Sequence, residues 1–140
     1  MGYRTFGKWV ILAPAEKLVA AVAAMRMELP PPPAGDCGWE DFELFKVKDI
    51  GYMRFEFEEW KWYTSFPSVV WYERVWSWCE EHTEDFELDG RRVHVGEDNV
   101  EETQTFGDGG YDIELYVHCS ISDGEPDSGE PLIQPQGVTT

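Results

Sequence analysis

Residues 52–82 have the sequence YMRFEFEEWKWYTSFPSVVWYERVWSWCEEH, in which a strand pattern is followed by a helix pattern. Tyr52–Tyr63 is the most aromatic strand candidate of the chain, and Ser65-Phe66-Pro67 introduces a helix over Ser68–His82. The apolar stripe of this helix consists of Val69, Tyr72, Trp76 and Cys79, widened by Val75 and Trp78. Its outward face is expected to carry Glu73, Glu80 and Glu81. The stretch therefore indicates a mixed α and β domain.

The aromatic strand contains a conflict of register. Its apolar residues have one parity before Glu58-Glu59 and the other parity after it: Met53, Phe55 and Phe57 against Trp60 and Trp62. Strict alternation would place these two groups on opposite faces of the sheet. Either both faces are covered, or a bulge near Glu58-Glu59 resets the register, and we favour the bulge.

The N-terminal third predicts one helix between two strands. Thr5–Leu12 is rich in β-prone residues, and Pro14 suits the first turn of a helix over Ala15–Met27. Pro30–Pro33 ends that helix and forms a stiff connector. A second strand is predicted over Phe42–Lys48, followed by a turn at Asp49-Ile50-Gly51 that leads into the aromatic strand.

After the second helix, the apolar period changes to two. Phe86–Leu88 and Arg91–Val95 predict a hairpin, because Asp89-Gly90 between them is a strong two-residue turn signal. In that register Glu87 would face Arg92.

The C-terminal residues predict a second hairpin and a tail. Val100–Phe106 and Tyr111–Ile121 are the expected strands, around the glycine-rich turn Gly107–Gly110. Residues 1–121 would then form a single globular domain. The remaining residues, 122–140, mix Gly, Pro, Ser and acids and are expected to form a flexible acidic tail.

The predicted order is β-α-β-β-α-β followed by further strands. This order indicates an α+β fold with two helices packed on a mostly antiparallel sheet. A ferredoxin-like arrangement with an added C-terminal hairpin is one interpretation, and another α+β sheet with two helices on one face is the alternative.

The negative charge is concentrated in the C-terminal half of the chain. The 140 residues carry a net charge of −17, of which −15 falls on residues 80–130. Direct binding to a phosphate backbone is therefore disfavoured, because that affinity comes from Lys and Arg. A basic protein would be attracted to this surface. No apolar run reaches membrane-spanning length and no signal peptide is evident, so we expect a cytoplasmic protein.

The sequence contains no convincing catalytic or metal-binding motif. Its scattered candidate ligands are Cys79, His82, His94, His118 and Cys119, whose spacing matches no zinc pattern. The loops Gly96–Asn99 and Gly107–Gly110 lack the ligand ladder of an EF-hand and suit tight turns. No nucleophile motif surrounds Cys37, and no phosphate-binding glycine loop is present. We therefore expect a protein that is not an enzyme and uses no metal or cofactor.

Two groups of residues are candidates for binding a protein partner. One is an aromatic cluster with an acidic rim: Glu56, Glu58, Glu59, Trp60 and Trp62. The other is a set of carboxylates that could stand in for nucleic-acid phosphates: Glu97, Asp98, Glu101, Glu102, Asp112 and Glu114.

These features favour a small acidic inhibitor that occludes a basic protein, such as a nuclease or another nucleic-acid-binding protein. Small acidic proteins without motifs occur among phage-encoded inhibitors of host defence, including anti-CRISPR and DNA-mimic proteins. This analogy rests on the type of protein, and no sequence motif supports it. Two alternatives are an immunity protein against a nuclease toxin and a small-ligand domain that uses the aromatic sheet. The chain could act as a monomer, or as a homodimer formed through its aromatic face.

Overall fold

The computed structural model describes residues 4–33, 38–60, 62–63, 65–96, 101–107 and 130–132. Its strands are β1 Thr5–Pro14, β2 Glu43–Val47, β3 Ile50–Trp60, β4 Asp89–Gly96, β5 Glu101–Phe106 and β6 Glu130–Pro131. Its helices are α1 Ala15–Glu28, α2 Pro67–Glu81 and α3 Thr83–Phe86, with a 3₁₀ turn at Trp39–Asp41. No helix in these ranges is long and apolar enough to cross a membrane.

All strand pairs of the sheet are antiparallel, in the order β5-β4-β1-β3-β2-β6. The helices pack on this sheet, which confirms the predicted α+β class. The inner order β4-β1-β3-β2 is compatible with the ferredoxin-like interpretation. Both long helices bury the stripes read from the sequence, including Leu18, Val22 and Met25 of α1 and Tyr72 and Trp76 of α2.

The predicted bulge in the aromatic strand is confirmed. Gly7 pairs with Phe57 and Thr5 pairs with Trp60, so two steps along β1 match three steps along β3. The extra residue returns Trp60 to the face of Phe57, where the two ring centroids are 5.4 Å apart. Val10 on the face opposite the helices is also buried, at 0% exposed, but the bulge alone accounts for the change of parity.

The predicted hairpin over residues 86–95 is wrong. Phe86 ends α3, and Asp89-Gly90 lies inside β4 instead of forming a turn. Gly90 is required for close packing, since a Cβ there would lie 2.3 Å from Cζ of Phe106. Glu87 has φ 55° at the end of α3 and pairs with Lys17 at 3.6 Å, not with Arg92. The short period-two run was therefore a helical turn whose Phe86 ring packs on Trp78.

The turn between β2 and β3 is one step earlier than expected. Lys48 has φ 56° and the turn lies at Lys48-Asp49, so Ile50 already begins β3 and Gly51 is inside the strand.

The C-terminal predictions are only partly within the described residues. The predicted strand over residues 100–106 corresponds to β5, which pairs with β4. Its predicted partner strand, residues 111–121, lies outside the described residues. Residues 130–132 belong to the predicted tail, yet β6 pairs with β2 and Leu132 is only 8% exposed in the core. The domain boundary at residue 121 stays a prediction.

Candidate partner-binding surface

Three basic side chains are buried within the sheet layers and ion-paired. Lys8 contacts Glu56 at 3.5 Å, while the guanidinium groups of Arg54 and Arg92 each lie 2.8 Å from a carboxylate, of Glu43 and Glu73. Lys8 is 1% exposed and the two arginines are 8% and 7% exposed. Breaking a buried ion pair leaves a charge buried without its partner, which is strongly destabilising. The position of each of these cations therefore depends on its carboxylate. The ion pairs also remove positive charge from the surface.

The exposed charges of the described residues are therefore strongly unequal. Four basic side chains are exposed: Arg4, Arg26, Lys48 and Arg74. Fourteen acidic side chains are exposed: Glu16, Glu28, Glu40, Glu43, Asp49, Glu56, Glu58, Glu80, Glu81, Glu84, Asp85, Glu87, Glu101 and Glu102. The resulting field attracts cations and repels phosphate.

The structure locates four of the predicted partner-binding carboxylates. Glu56 and Glu101 lie on the face of the sheet opposite the helices, because they alternate with residues that contact α2. Their strands are separated by β4 and β1, which is about 14 Å at normal strand spacing. Glu58 is exposed beside the bulge, and Glu102 lies on the helix side, opposite His94. These carboxylates line the sheet without converging on one point.

The remaining predicted carboxylates cannot be placed in this arrangement. The side chain of Glu59 lies outside the described residues, as do the residues Glu97, Asp98, Asp112 and Glu114.

Trp60 and Trp62 are half-buried and belong to a packed aromatic cluster. The Trp62 ring stacks on Phe57 with centroids 4.3 Å apart and an interplanar angle of 7°. Its Nε1 donates to Glu73 Oε2 at 2.9 Å. The prediction that Glu73 faces outward from α2 is wrong, because its carboxylate accepts hydrogen bonds from both Trp62 and Arg92. Only the outer parts of the two tryptophans are available to a partner.

A polar network joins this cluster to β4. The Arg92 guanidinium lies over the rings of Trp9 and Trp76, 5.0 and 4.8 Å from their centroids. Trp9 Nε1 donates to His94 Nε2 at 2.8 Å, so His94 must be neutral at that nitrogen. Burial, and then the nearby Arg92, lower the pKa of His94 to about 3. This network was not predicted from the sequence, although the shared parity of Arg92 and His94 on one strand is a signal for it.

The geometry gives little basis for nucleophilic or metal chemistry. Cys79 is fully buried, and burial raises the pKa of its thiol, which keeps it in the unreactive protonated form. Within the ranges that the structure describes, no three His, Cys, Asp or Glu side chains are grouped so as to hold a metal ion.

A second acidic surface was not singled out from the sequence. We call it the α2–α3 acidic segment, and it comprises Glu80, Glu81, Glu84, Asp85 and Glu87, all exposed. Five acids within eight residues are a compositional signal that could have identified it. A hollow of about 480 Å³ separates Glu80 from Thr103–Thr105 of β5, and a cleft of about 690 Å³ contains Glu84 and Glu87. The acidic surface therefore extends from the end of α2 around the end of β5.

The fold and this surface define a small acidic α+β domain. Comparison of the chain with protein families, with curated proteins and with solved structures returned no match.

Proposed function

We propose that this chain is a non-enzymatic binding protein that docks on a basic protein and occludes its nucleic-acid-binding groove. The observation that supports the proposal is the imbalance of exposed charge, fourteen acidic side chains against four basic ones among the described residues. The imbalance exceeds what composition alone requires, because Lys8, Arg54 and Arg92 are held inside the fold.

The mechanism is electrostatic steering followed by steric block. Exposed carboxylates accelerate encounter with a basic surface and disfavour acidic competitors. Glu56 on β3 and Glu101 on β5 lie on strands that are about 14 Å apart by strand spacing, and they are offset by two residues along the sheet. In this proposal they occupy sites that otherwise hold phosphates, while Trp60 and Trp62 lie on the other face of the sheet with Phe57.

The test begins with capture of partners by the tagged chain from a bacterial lysate, washed at low and at high salt. We expect a basic protein that is retained at low salt and lost at high salt, because exposed charges are screened. The chain should then displace duplex DNA or RNA from that purified protein.

Two matched variants localise the effect. The double variant Glu58→Lys/Glu101→Lys reverses two exposed carboxylates of the predicted surface, and Glu16→Lys/Glu40→Lys makes the same change in net charge elsewhere. We expect the first pair to weaken binding at least tenfold and the second to weaken it much less. Capture that is independent of salt, or a captured protein that binds its nucleic acid equally well with the chain present, contradicts the proposal.

A further inference from the structure

The cleft beside α3 has one apolar wall and one acidic wall. The apolar wall includes Leu12 and Pro14 at the end of β1 and Ile50 at the start of β3. The acidic wall carries Glu84 of α3, Glu87 at the end of α3 and Asp89 at the start of β4. The cleft has a volume of about 690 Å³, and Ile50 is 37% exposed. A ligand that fits must therefore satisfy both an apolar surface and carboxylates.

The chain already pairs one ammonium group with a carboxylate that lines this cleft. Lys17 Nζ lies 3.6 Å from Glu87 Oε2, with the two side chains 44% and 61% exposed. Glu84 is exposed and has no ion pair among the described residues, so its carboxylate is accessible to a cation. The apolar wall faces solvent at Ile50, where a partner's methylene groups could be buried.

We infer that this cleft receives a lysine or arginine side chain of the basic partner. Such side chains combine an aliphatic stem with a cationic head, and the stem packs on apolar surface while the head reaches a carboxylate. The stem lies along Leu12 and Ile50 and the head lies at Glu84. This inference rests on the proposed function, and it names a docking point on the molecule that the sheet-face carboxylates do not include.

The test is an NMR titration of the ¹⁵N-labelled chain with N-acetyl-lysine methylamide and N-acetyl-arginine methylamide. Two matched probes separate the contributions of the two walls to binding. N-acetyl-norleucine methylamide has the aliphatic stem without the charge, and methylammonium has the charge without the stem. We expect saturable shifts of the Thr83, Leu88 and Gly107 amides with the two cationic amino acids. Both control probes should bind at least threefold more weakly.

Variants on each wall complete the test. Glu84→Gln removes the carboxylate charge of the acidic wall, and Ile50→Thr makes the apolar wall polar while keeping a β-branched residue in the strand. Each should weaken lysine-probe binding at least threefold. The matched controls, Glu40→Gln and Val70→Thr, alter another exposed acid and a valine that is also 37% exposed, and should leave probe binding unchanged.

The outcomes separate this inference from the proposed function. Shifts spread over the whole acidic surface, or equal binding by Glu84→Gln, overturn the cleft inference. If a captured basic protein also binds wild type and Glu84→Gln equally but remains salt-sensitive, only the cleft inference fails. If the lysine probe binds the cleft but no basic protein is captured, the proposed function fails.

Discussion

Lowering the pH from 7.5 to 5.0 should destabilise the wild-type protein through His94. The imidazole accepts the Trp9 indole N–H at 2.8 Å and has a pKa of about 3 in the fold. In the unfolded chain its pKa is about 6.5. The unfolded state therefore binds the proton first, and stability falls as the pH drops from about 6.5 towards 3.

The size of this effect follows from the two pKa values. At pH 5.0 the unfolded histidine is almost fully protonated, whereas His94 in the fold remains neutral. Protonation of the unfolded chain then lowers the free energy of unfolding by about 2 kcal/mol relative to pH 7.5. Lowering the pH also acts on the rest of the chain, so the effect of His94 has to be isolated by comparison with a variant.

The comparison uses His94→Gln, whose side-chain oxygen can still accept the Trp9 N–H. Urea unfolding of both proteins, followed by tryptophan fluorescence at constant ionic strength, gives the free energy of unfolding at each pH. The variant starts from a lower stability at pH 7.5 because the ring stacked on Trp9 is lost. Between the two pH values it should lose about 2 kcal/mol less than wild type does. An equal loss in both proteins would refute the assignment of a neutral, hydrogen-bonded His94.

Two further predictions concern stability. Glu73→Ala should cost about 3 kcal/mol in urea unfolding because it leaves Arg92 buried beside Trp9 and Trp76 without its carboxylate, whereas Glu81→Ala on the exposed side of α2 should change stability by less than about 0.5 kcal/mol. If the double variant Glu73→Ala/Arg92→Met regains part of the lost stability, the cost arises from the unpaired charge of Arg92, and no regain of stability would contradict this explanation. Leu132→Ala should cost about 2–4 kcal/mol because this side chain is 8% exposed in the core, and a cost near zero would show that residues 130–132 do not contribute to the folded domain.

Local patterns predicted the parts of the fold that depend on neighbours in the chain. The apolar residues of α2 recur every three or four positions, which predicts the helix. The change of parity at Glu58-Glu59 indicates the bulge in β3. The turn signal at Asp89-Gly90 misled because a glycine can serve two purposes. Here it admits the Phe106 ring from β5, a contact that depends on a residue sixteen positions away.

The candidate site shows the same division. The concentration of acids was visible from the sequence, and so was the α2–α3 acidic segment in retrospect. The inward orientation of Glu73 was not visible from the sequence, because it depends on hydrogen bonds from Trp62, just after β3, and from Arg92 on β4. Helical spacing places a residue on the boundary of a stripe, and only the tertiary partner decides whether a boundary carboxylate points in or out.

The buried cations connect the stability of the fold to the character of its surface. Each of Lys8, Arg54 and Arg92 projects its charge to a carboxylate nearer the surface, and the acids at Glu43 and Glu56 remain partly exposed while doing so. If the acidic residues served only to keep the protein soluble, these cations could lie on the surface, and the desolvation penalty of burying them would be avoided. Holding them inside keeps positive charge away from the surface on which, under the proposed function, a basic protein would dock. Replacing the three cations with apolar residues would leave the exposed acids in place. The negative field at the surface should therefore persist without these ion pairs.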